Sequence, residues 1–402
     1  MEFQVSKKAK TWTTLLMVVG VVFTAIGIMM AWGHGHVGQQ FMANLLANSF
    51  FFFAIGLSAL FFLALQYATE TAWFVAVKRV IESVAGYLPY GIAFLVIALL
   101  TLSFTHGGHV YQWMDPEVMK KGGAHYDELA AGKGAYLNLT FFWIRTVVYL
   151  AVYYLFWTGF RKRSLMQDEN PSEAVNLHFK NYKRGALFLV FFAVFSSTSA
   201  WDWLMSIDVH WFSTLYGWYV FAGGWCSAMT VMVLLVIYLK KLGYLPKVNE
   251  SHIHDLGKWT FATSFLWSYL WFSQYMLIWY ANIPEETTYF LNRIENFQML
   301  YFGMFFINFA FPMLILMSRD AKRNAGILTF VGIVILAGHW LDVWIMVMGG
   351  SMGPLAHIGF LEIGMGILFA GLFVRVILVN LSKAVLTPKN DPFLDESLHH
   401  EI

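Results

Sequence analysis

The chain has almost nothing that could hold a redox centre of its own. It contains a single cysteine, Cys226, among 402 residues. One cysteine can form no internal disulfide, no four-cysteine iron–sulfur site and no c-type haem attachment, which needs a Cys-x-x-Cys-His motif. Any redox centre other than a small bound cofactor must therefore belong to partner chains.

Histidine is equally scarce inside the apolar segments. A b-type haem in a membrane needs axial histidines within the spans, usually paired across helices. Of the 13 histidines, only His339 lies well inside an apolar segment. We therefore expect no haem, no iron–sulfur cluster and no metal in this chain.

The chain also has few charged residues. Charged residues make up 12% of the chain, about half of the ~25% that is usual in soluble domains. With 58% hydrophobic residues, the chain cannot cover itself with polar surface, which excludes a water-soluble globule and predicts a polytopic membrane protein among lipids. The net charge of only +2 argues against nucleic-acid partners.

Long apolar runs predict the fold class, an all-α integral membrane protein with a single polytopic domain, 1–402. A helix needs roughly 20 apolar residues to cross the ~30 Å hydrocarbon core, and these runs are continuous rather than alternating, which disfavours strands. We predict ten transmembrane helices at 11–32, 43–66, 84–105, 136–160, 185–207, 211–239, 258–281, 297–318, 325–349 and 358–381. The segment 387–402 is expected to be a cytoplasmic tail that only a neighbouring chain could order.

The distribution of lysine and arginine predicts the orientation. With the N-terminus inside, 20 basic residues fall in inner segments, against four in outer loops: Lys120, Lys121, Lys133 and Arg293. This bias places both termini in the cytoplasm. The polar, glycine-rich outer loop 106–135 is expected to be a cap or a partner-facing loop.

A faint internal repeat predicts how the helices are grouped. The fifth helix ends in Trp201-Asp202-Trp203-Leu204-Met205, and the ninth carries the similar Asp342-Val343-Trp344-Ile345-Met346. The repeat predicts two four-helix bundles of the same orientation, helices 2–5 and 6–9, flanked by helices 1 and 10.

A few charged or titratable side chains lie within the predicted spans. A charge near the middle of a bilayer costs at least ~2.5–3.5 kcal/mol, so each one needs a partner or a function. Arg375 is close enough to the inner end of its helix to reach the interface. The remaining five lie in the outer half or near the midplane and are expected to form one cluster: Arg145, Asp202, His339, Asp342 and Glu362.

His339 and Asp342 are three residues apart and therefore share one face of a helix. A neighbouring carboxylate orients an imidazole and favours its protonated form. Such a pair suits proton uptake from a hydroquinone hydroxyl, or one step of a proton relay. The alternative is a static ion pair of Arg145 with Asp342 or Asp202 that holds the two bundles together.

One segment carries a resemblance to a known family. It reads Ser199-Ala200-Trp201-Asp202-Trp203-Leu204-Met205-Ser206-Ile207-Asp208-Val209-His210-Trp211-Phe212-Ser213-Thr214. The chain resembles, over its whole length, the shorter of the two large membrane subunits of alternative complex III, a bacterial quinol:cytochrome c oxidoreductase. This subunit is related to the NrfD-like, polysulfide-reductase membrane-anchor proteins.

The resemblance implies a multi-pass subunit of a respiratory complex in the bacterial inner membrane, built as two four-helix bundles plus two flanking helices. Its implied partners are a multihaem cytochrome c subunit, an iron–sulfur subunit, a monohaem cytochrome c subunit, a larger homologous NrfD-like membrane subunit, small membrane subunits and, in some cases, a terminal oxidase. In this family the better-supported quinol site belongs to the larger sister subunit.

The main hypothesis is therefore a subunit that contributes to quinol-linked electron transfer and proton translocation. Proton handling is assigned to His339, Asp342, Asp202, Glu362 and Arg145, and menaquinone is expected near Asp202, Trp203, His210 and His339. Two alternatives stay open: a non-catalytic structural anchor of the same complex, and a proton- or ion-conducting subunit without quinone.

Overall fold

The computed structural model describes residues 3–33 and 35–401, and this part of the chain is helical, with no strand. We number the ten long helices α1 to α10: Lys7–Ala31, Val37–Ala68, Leu88–Phe104, Leu139–Glu169, Ala174–Trp203, Leu215–Lys241, Glu250–Ala281, Pro284–Phe305, Ala325–Ser351 and Phe360–Leu381. Each predicted span falls on one of these helices or on its direct continuation.

Nine helical segments of the described residues are long and apolar enough to cross a membrane, so the chain is a multi-pass helical membrane protein. The predicted span that is not among the nine, 258–281, lies in α7. This helix has 32 residues and packs along α6, but its many Trp, Tyr, Ser and Thr side chains lower its mean hydropathy. The cytoplasmic position of the termini and the division into two bundles stay predictions.

The flanking helices α1 and α10 pack closely on each other through glycines. A Cβ on Gly364 would lie 2.4 Å from the backbone nitrogen of Thr24, and one on Gly27 would lie 2.3 Å from that of Leu361. Such small residues let two membrane helices approach backbone to backbone. The first and the last long helix of the chain are thereby held together.

The third predicted span is interrupted. A short helix, Lys78–Ala85, precedes α3, and every residue of it is buried. The chain then turns at Gly86 and Tyr87, and Pro89 lies in the first turn of α3, where its missing N–H costs nothing. Lys78 and Arg79 are two of the 20 basic residues counted in the predicted inner segments, and because the short helix is buried, both side chains lie inside the fold.

The charges on this short helix are paired within the chain. The Glu82 carboxylate accepts hydrogen bonds from Arg79, Arg161 and Ser164, and Arg79 also contacts Asp168 at 2.6 Å. This network ties the short helix to the end of α4. It lies at the end of the molecule where the sequence predicts the cytoplasm.

The C-terminal tail is ordered by the chain itself, so the expectation that only a neighbour could order it was wrong. Asp391 forms a buried ion pair with Lys78 at 2.7 Å. Ser397, in the short helix Leu394–Leu398, accepts from the backbone N–H of Ala76 and bonds through its carbonyl oxygen to His252 on α7. The tail therefore links segments that are far apart in the sequence; Ile402 lies outside the described residues.

The eighth helix begins 13 residues before the predicted start at 297. It deviates from helical geometry at Phe297 and continues through a π-helical turn, Phe306–Ala310, into Phe311–Leu316. The earlier start moves Arg293 from a predicted outer loop into the helix, where its side chain is fully buried. π-Helical turns inside α-helices are frequent at functional sites.

Candidate functional site

Arg145 and Asp202 form a buried ion pair between α4 and α5. The Nε and Nη2 atoms of Arg145 each donate to one carboxylate oxygen of Asp202 at 2.8 Å, and the Tyr149 hydroxyl lies 3.3 Å from Oδ2. The guanidinium also lies over the ring of Tyr136, 3.9 Å from its centroid. This two-point geometry satisfies both charges and fixes α4 against α5, both of which belong to the predicted first bundle, so the pair does not join the two bundles.

Trp203 and His210, which the sequence analysis placed near a quinone, make structural contacts. The indole N–H of Trp203 donates to Thr146 at 3.1 Å, and the ring is fully buried. The cavity beside Trp203 has a volume of about 30 Å³, far below the ~300–1,000 Å³ of a ligand pocket. His210 pairs with Asp127 at 2.8 Å and so holds the outer loop 106–135 against the end of α5.

The same loop is held by a second contact. The ammonium group of Lys133 donates to the carbonyl oxygen of Val209, and burial lowers the pKa of this lysine. The loop therefore acts as a cap over the end of α5, one of the two roles expected from its sequence.

Asp342 on α9 has an entirely different environment from Asp202. The Tyr219 hydroxyl donates to its Oδ1 atom, and the indole N–H of Trp267 donates to Oδ2 at 3.0 Å. Both donors are neutral, and no cationic side chain of the described residues pairs with Asp342, which is only 2% exposed. The static Arg145–Asp342 ion pair considered above is therefore absent from the residues that the structure describes.

His339 lies one turn before Asp342 but does not bond to it. Its ring packs edge-on against Trp267, with 5.2 Å between the centroids. Neither ring nitrogen has a hydrogen-bond partner among residues 3–33 and 35–401, although the side chain is 1% exposed. Asp342 and His339 thus both contact Trp267 but form no hydrogen bond with each other. The expected carboxylate–imidazole pair was therefore wrong.

A second unpaired polar group lies against Gly338, which directly precedes His339. Asn308 is in the π-helical turn, and neither polar atom of its buried side chain has a partner in the described chain. A Cβ on Gly338 would lie 2.1 Å from Asn308 Oδ1, so the absence of a side chain at this position lets the turn approach α9. Buried polar atoms without partners are costly and are rare in folded proteins.

We call Tyr219, Trp267, Asn308, His339 and Asp342 the α9 polar site. The sequence around His339 and Asp342 does not reveal the first three, because they lie on α6, α7 and the π-helical turn. A weak signal existed for Asn308, which is the only amide in the apolar run 300–317. Nothing in the sequence pointed to Tyr219 or Trp267 rather than to the other aromatic residues.

Glu362 belongs to a separate group at the start of α10. Its Oε1 atom accepts from Gln40 at 2.6 Å and from Asn44 at 2.9 Å, both on α2. Its Oε2 atom accepts from the backbone N–H of Gly359 at 2.8 Å and so caps α10. Glu362 therefore connects α2 to α10 and makes no ion pair within the described part of the chain.

A cavity of about 660 Å³ adjoins Glu362. It is lined by the end of α1, the start of α2, the α9–α10 connection and the start of α10. Its polar side chains are His36, Gln40, His357 and Glu362, and the remainder of its wall is mainly apolar. The volume falls within the ~300–1,000 Å³ range of ligand pockets.

Arg293 forms another buried charge pair, which the sequence analysis did not anticipate. Its Nη2 atom contacts Asp208 at 2.8 Å and also donates to the carbonyl oxygen of Met346. The guanidinium lies 3.4 Å from the centroid of the Tyr289 ring. This pair connects α8 with the α5–α6 link and with α9.

The five expected charges are thus distributed over three groups rather than one cluster. Arg145 and Asp202 satisfy each other, Glu362 bonds to neutral groups around α10, and His339 and Asp342 belong to the α9 polar site. Within the described ranges, no three His, Cys, Asp or Glu side chains are arranged to hold a metal ion. No family model matches the chain, and no curated protein matches it either.

Proposed function

We propose that this chain is a membrane subunit of a quinol-linked respiratory oxidoreductase and that its α9 polar site handles protons. The quinol part of this proposal comes from the resemblance of the Trp201–Asp208 segment and its flanks to alternative complex III. The assignment of a proton-handling group to this chain comes from the environment of Asp342.

The observation that carries the proposal is that the Asp342 carboxyl group is buried without a cation. A carboxylate in a membrane-embedded helix is costly unless it is paired, so such residues usually mark proton or ion pathways. Asp202 is neutralised by Arg145 and can serve as an anchor, whereas Asp342 has only two neutral donors. Asp342 can therefore gain and lose a proton without breaking an ion pair.

The chemistry balances without a redox group in this chain. Oxidation of one hydroquinone to a quinone releases two protons and two electrons. Haem groups of the cytochrome c partner that the resemblance implies would accept the two electrons, and the protons need acceptors on a path to water. In this scheme Asp342 takes up and releases a proton, and His339, one turn away on the same helix, is the second proton acceptor of the α9 polar site.

The proposal is tested with the double variant His339→Gln and Asp342→Asn in the assembled complex. Loss of a proton acceptor typically costs about 10²–10⁴-fold in rate, so we expect quinol oxidation and proton release to fall at least a hundredfold. Arg375→Gln is the matched control, because it removes a charge near the predicted inner end of α10. Wild-type rates in a normally assembled double variant would refute the proposal and favour a structural anchor.

A second function, the structural anchor, is favoured for one part of the chain by the Arg145–Asp202 contact. This ion pair uses both carboxylate oxygens and lies against aromatic rings, so protonation of Asp202 would remove the charge that holds Arg145. We therefore assign Asp202 and Arg145 to the stability of the first bundle rather than to proton transfer.

A further inference from the structure

The cavity beside Glu362 has features that the helix-capping role of this residue does not explain. A carboxylate offers about four acceptor positions. Gln40 and Asn44 occupy two on Oε1, and the backbone N–H of Gly359 occupies one on Oε2. One acceptor position on Oε2 is therefore left for a further donor.

Gly359 keeps the space next to this oxygen open. A Cβ on Gly359 would lie 3.4 Å from Glu362 Oε2 and 3.7 Å from His357 Nε2. The carboxylate oxygen and the imidazole nitrogen therefore both face the point that a side chain at this position would fill. A single hydroxyl group placed there could donate to Glu362 and contact His357.

The rest of the cavity suits an aromatic ring with an apolar tail. Its floor is polar and buried, at Gln40 and Glu362, whereas its wall includes Phe360, Leu361 and Met30. Phe360 and Met30 are exposed in this chain, so the apolar side of the cavity opens at the apolar surface of α1 and α10. An amphiphile can therefore enter from the membrane and present its hydroxyl to Glu362.

We infer that this cavity binds the head of an isoprenoid hydroquinone, with one hydroxyl donating to Glu362 Oε2 in the space that Gly359 leaves open. The inference rests on the proposed quinol-linked function and locates its ligand in this chain, between α1, α2 and α10. It concerns binding alone and separates the place where the hydroquinone binds from the α9 polar site.

Gly359→Ala tests the inference sharply. The backbone at Gly359, with φ −131°, is a conformation that any residue adopts, and the new methyl group would make ordinary contacts with its neighbours. The variant should therefore fold while its methyl group displaces the ligand hydroxyl. Gly38→Ala is the matched control because a Cβ there meets no atom within 4 Å.

The probe is a 1,4-naphthoquinol with one isoprene unit, bound to the full chain in phosphatidylcholine nanodiscs. We expect saturable binding to the wild type and to Gly38→Ala, and at least about tenfold weaker binding to Gly359→Ala, the factor for one hydrogen bond to a charged group. No saturable binding by the wild type, or equal binding by Gly359→Ala, would overturn the inference. Displacement of the probe by an equal concentration of phosphatidylglycerol would also overturn it, because the cavity would then be a lipid site.

The two proposals fail separately. If Gly359→Ala changes neither binding nor turnover, while the His339 and Asp342 double variant abolishes turnover, the cavity is not the quinol site and the proposed function stands. If Gly359→Ala abolishes binding, while the double variant turns over normally, the ligand site stands and proton handling by the α9 polar site is refuted.

Discussion

Arg145→Ala is expected to lower the free energy of unfolding by about 3–5 kcal/mol, the cost of removing one partner from a buried ion pair. The variant leaves Asp202, which is fully buried, with a charge that only the neutral hydroxyl groups of Tyr136 and Tyr149 can then stabilise. It also removes the cation that lies over Tyr136. The measurement is the midpoint of denaturant-induced unfolding of the purified chain, together with the yield of folded protein.

Two further variants make this result specific. Arg145→Lys keeps the charge but not the two-point contact, so it should fall between the wild type and Arg145→Ala. Arg375→Ala should have a small effect, because the Arg375 side chain is only partly buried and its hydrogen bond to the Thr13 hydroxyl is long, at 3.4 Å. Equal midpoints for Arg145→Ala and Arg375→Ala would contradict the structural role of the Arg145–Asp202 pair.

Asp391→Ala is expected to release the C-terminal tail. The variant leaves the Lys78 ammonium group buried without its carboxylate, and detachment of the tail would let water reach that charge. An opening free energy that is lower by about 3 kcal/mol corresponds to a roughly hundredfold larger open population. Limited proteolysis should therefore cut the tail about a hundredfold faster than in the wild type.

Asp395→Ala is the control for the tail. Asp395 lies four residues away in the same tail, and its side chain is 93% exposed. Its loss should leave the cleavage rate unchanged. Similar cleavage rates for Asp391→Ala and Asp395→Ala would mean that the Lys78–Asp391 contact does not hold the tail.

The positions of the long helices could be predicted from the sequence because they depend on local hydropathy. The errors occurred where charge lies within a helix that is buried by its neighbours. Lys78 and Arg79 were counted among the basic residues of an inner segment, and Arg293 among those of an outer loop. Only the Arg79–Glu82 contact is local in sequence. The other partners, Asp391, Asp168 and Asp208, are at least 85 residues away, so no local pattern could reveal them.

The polar groups of the candidate sites could be predicted only in part. The free-energy cost of burying a charge singled out Asp202, Asp342 and Glu362. This cost is similar for all three carboxylates, so it could not show which of them is paired with a cation. The distinction depends on which side chains α4, α6 and α7 bring to each carboxylate. The cavity beside Glu362 was not anticipated at all, because three helices and a connection from opposite ends of the chain form its wall.

The central claim is that the Asp342 carboxyl group changes its protonation during quinol turnover. Infrared difference spectroscopy of the assembled complex, between its quinol-reduced and oxidised states, measures this change through the C=O stretch of a protonated carboxyl group. We expect such a band in the wild type and in Arg375→Gln, and we expect it to be absent in Asp342→Asn. Identical difference spectra for the wild type and Asp342→Asn would show that Asp342 keeps one protonation state throughout, which would contradict the account.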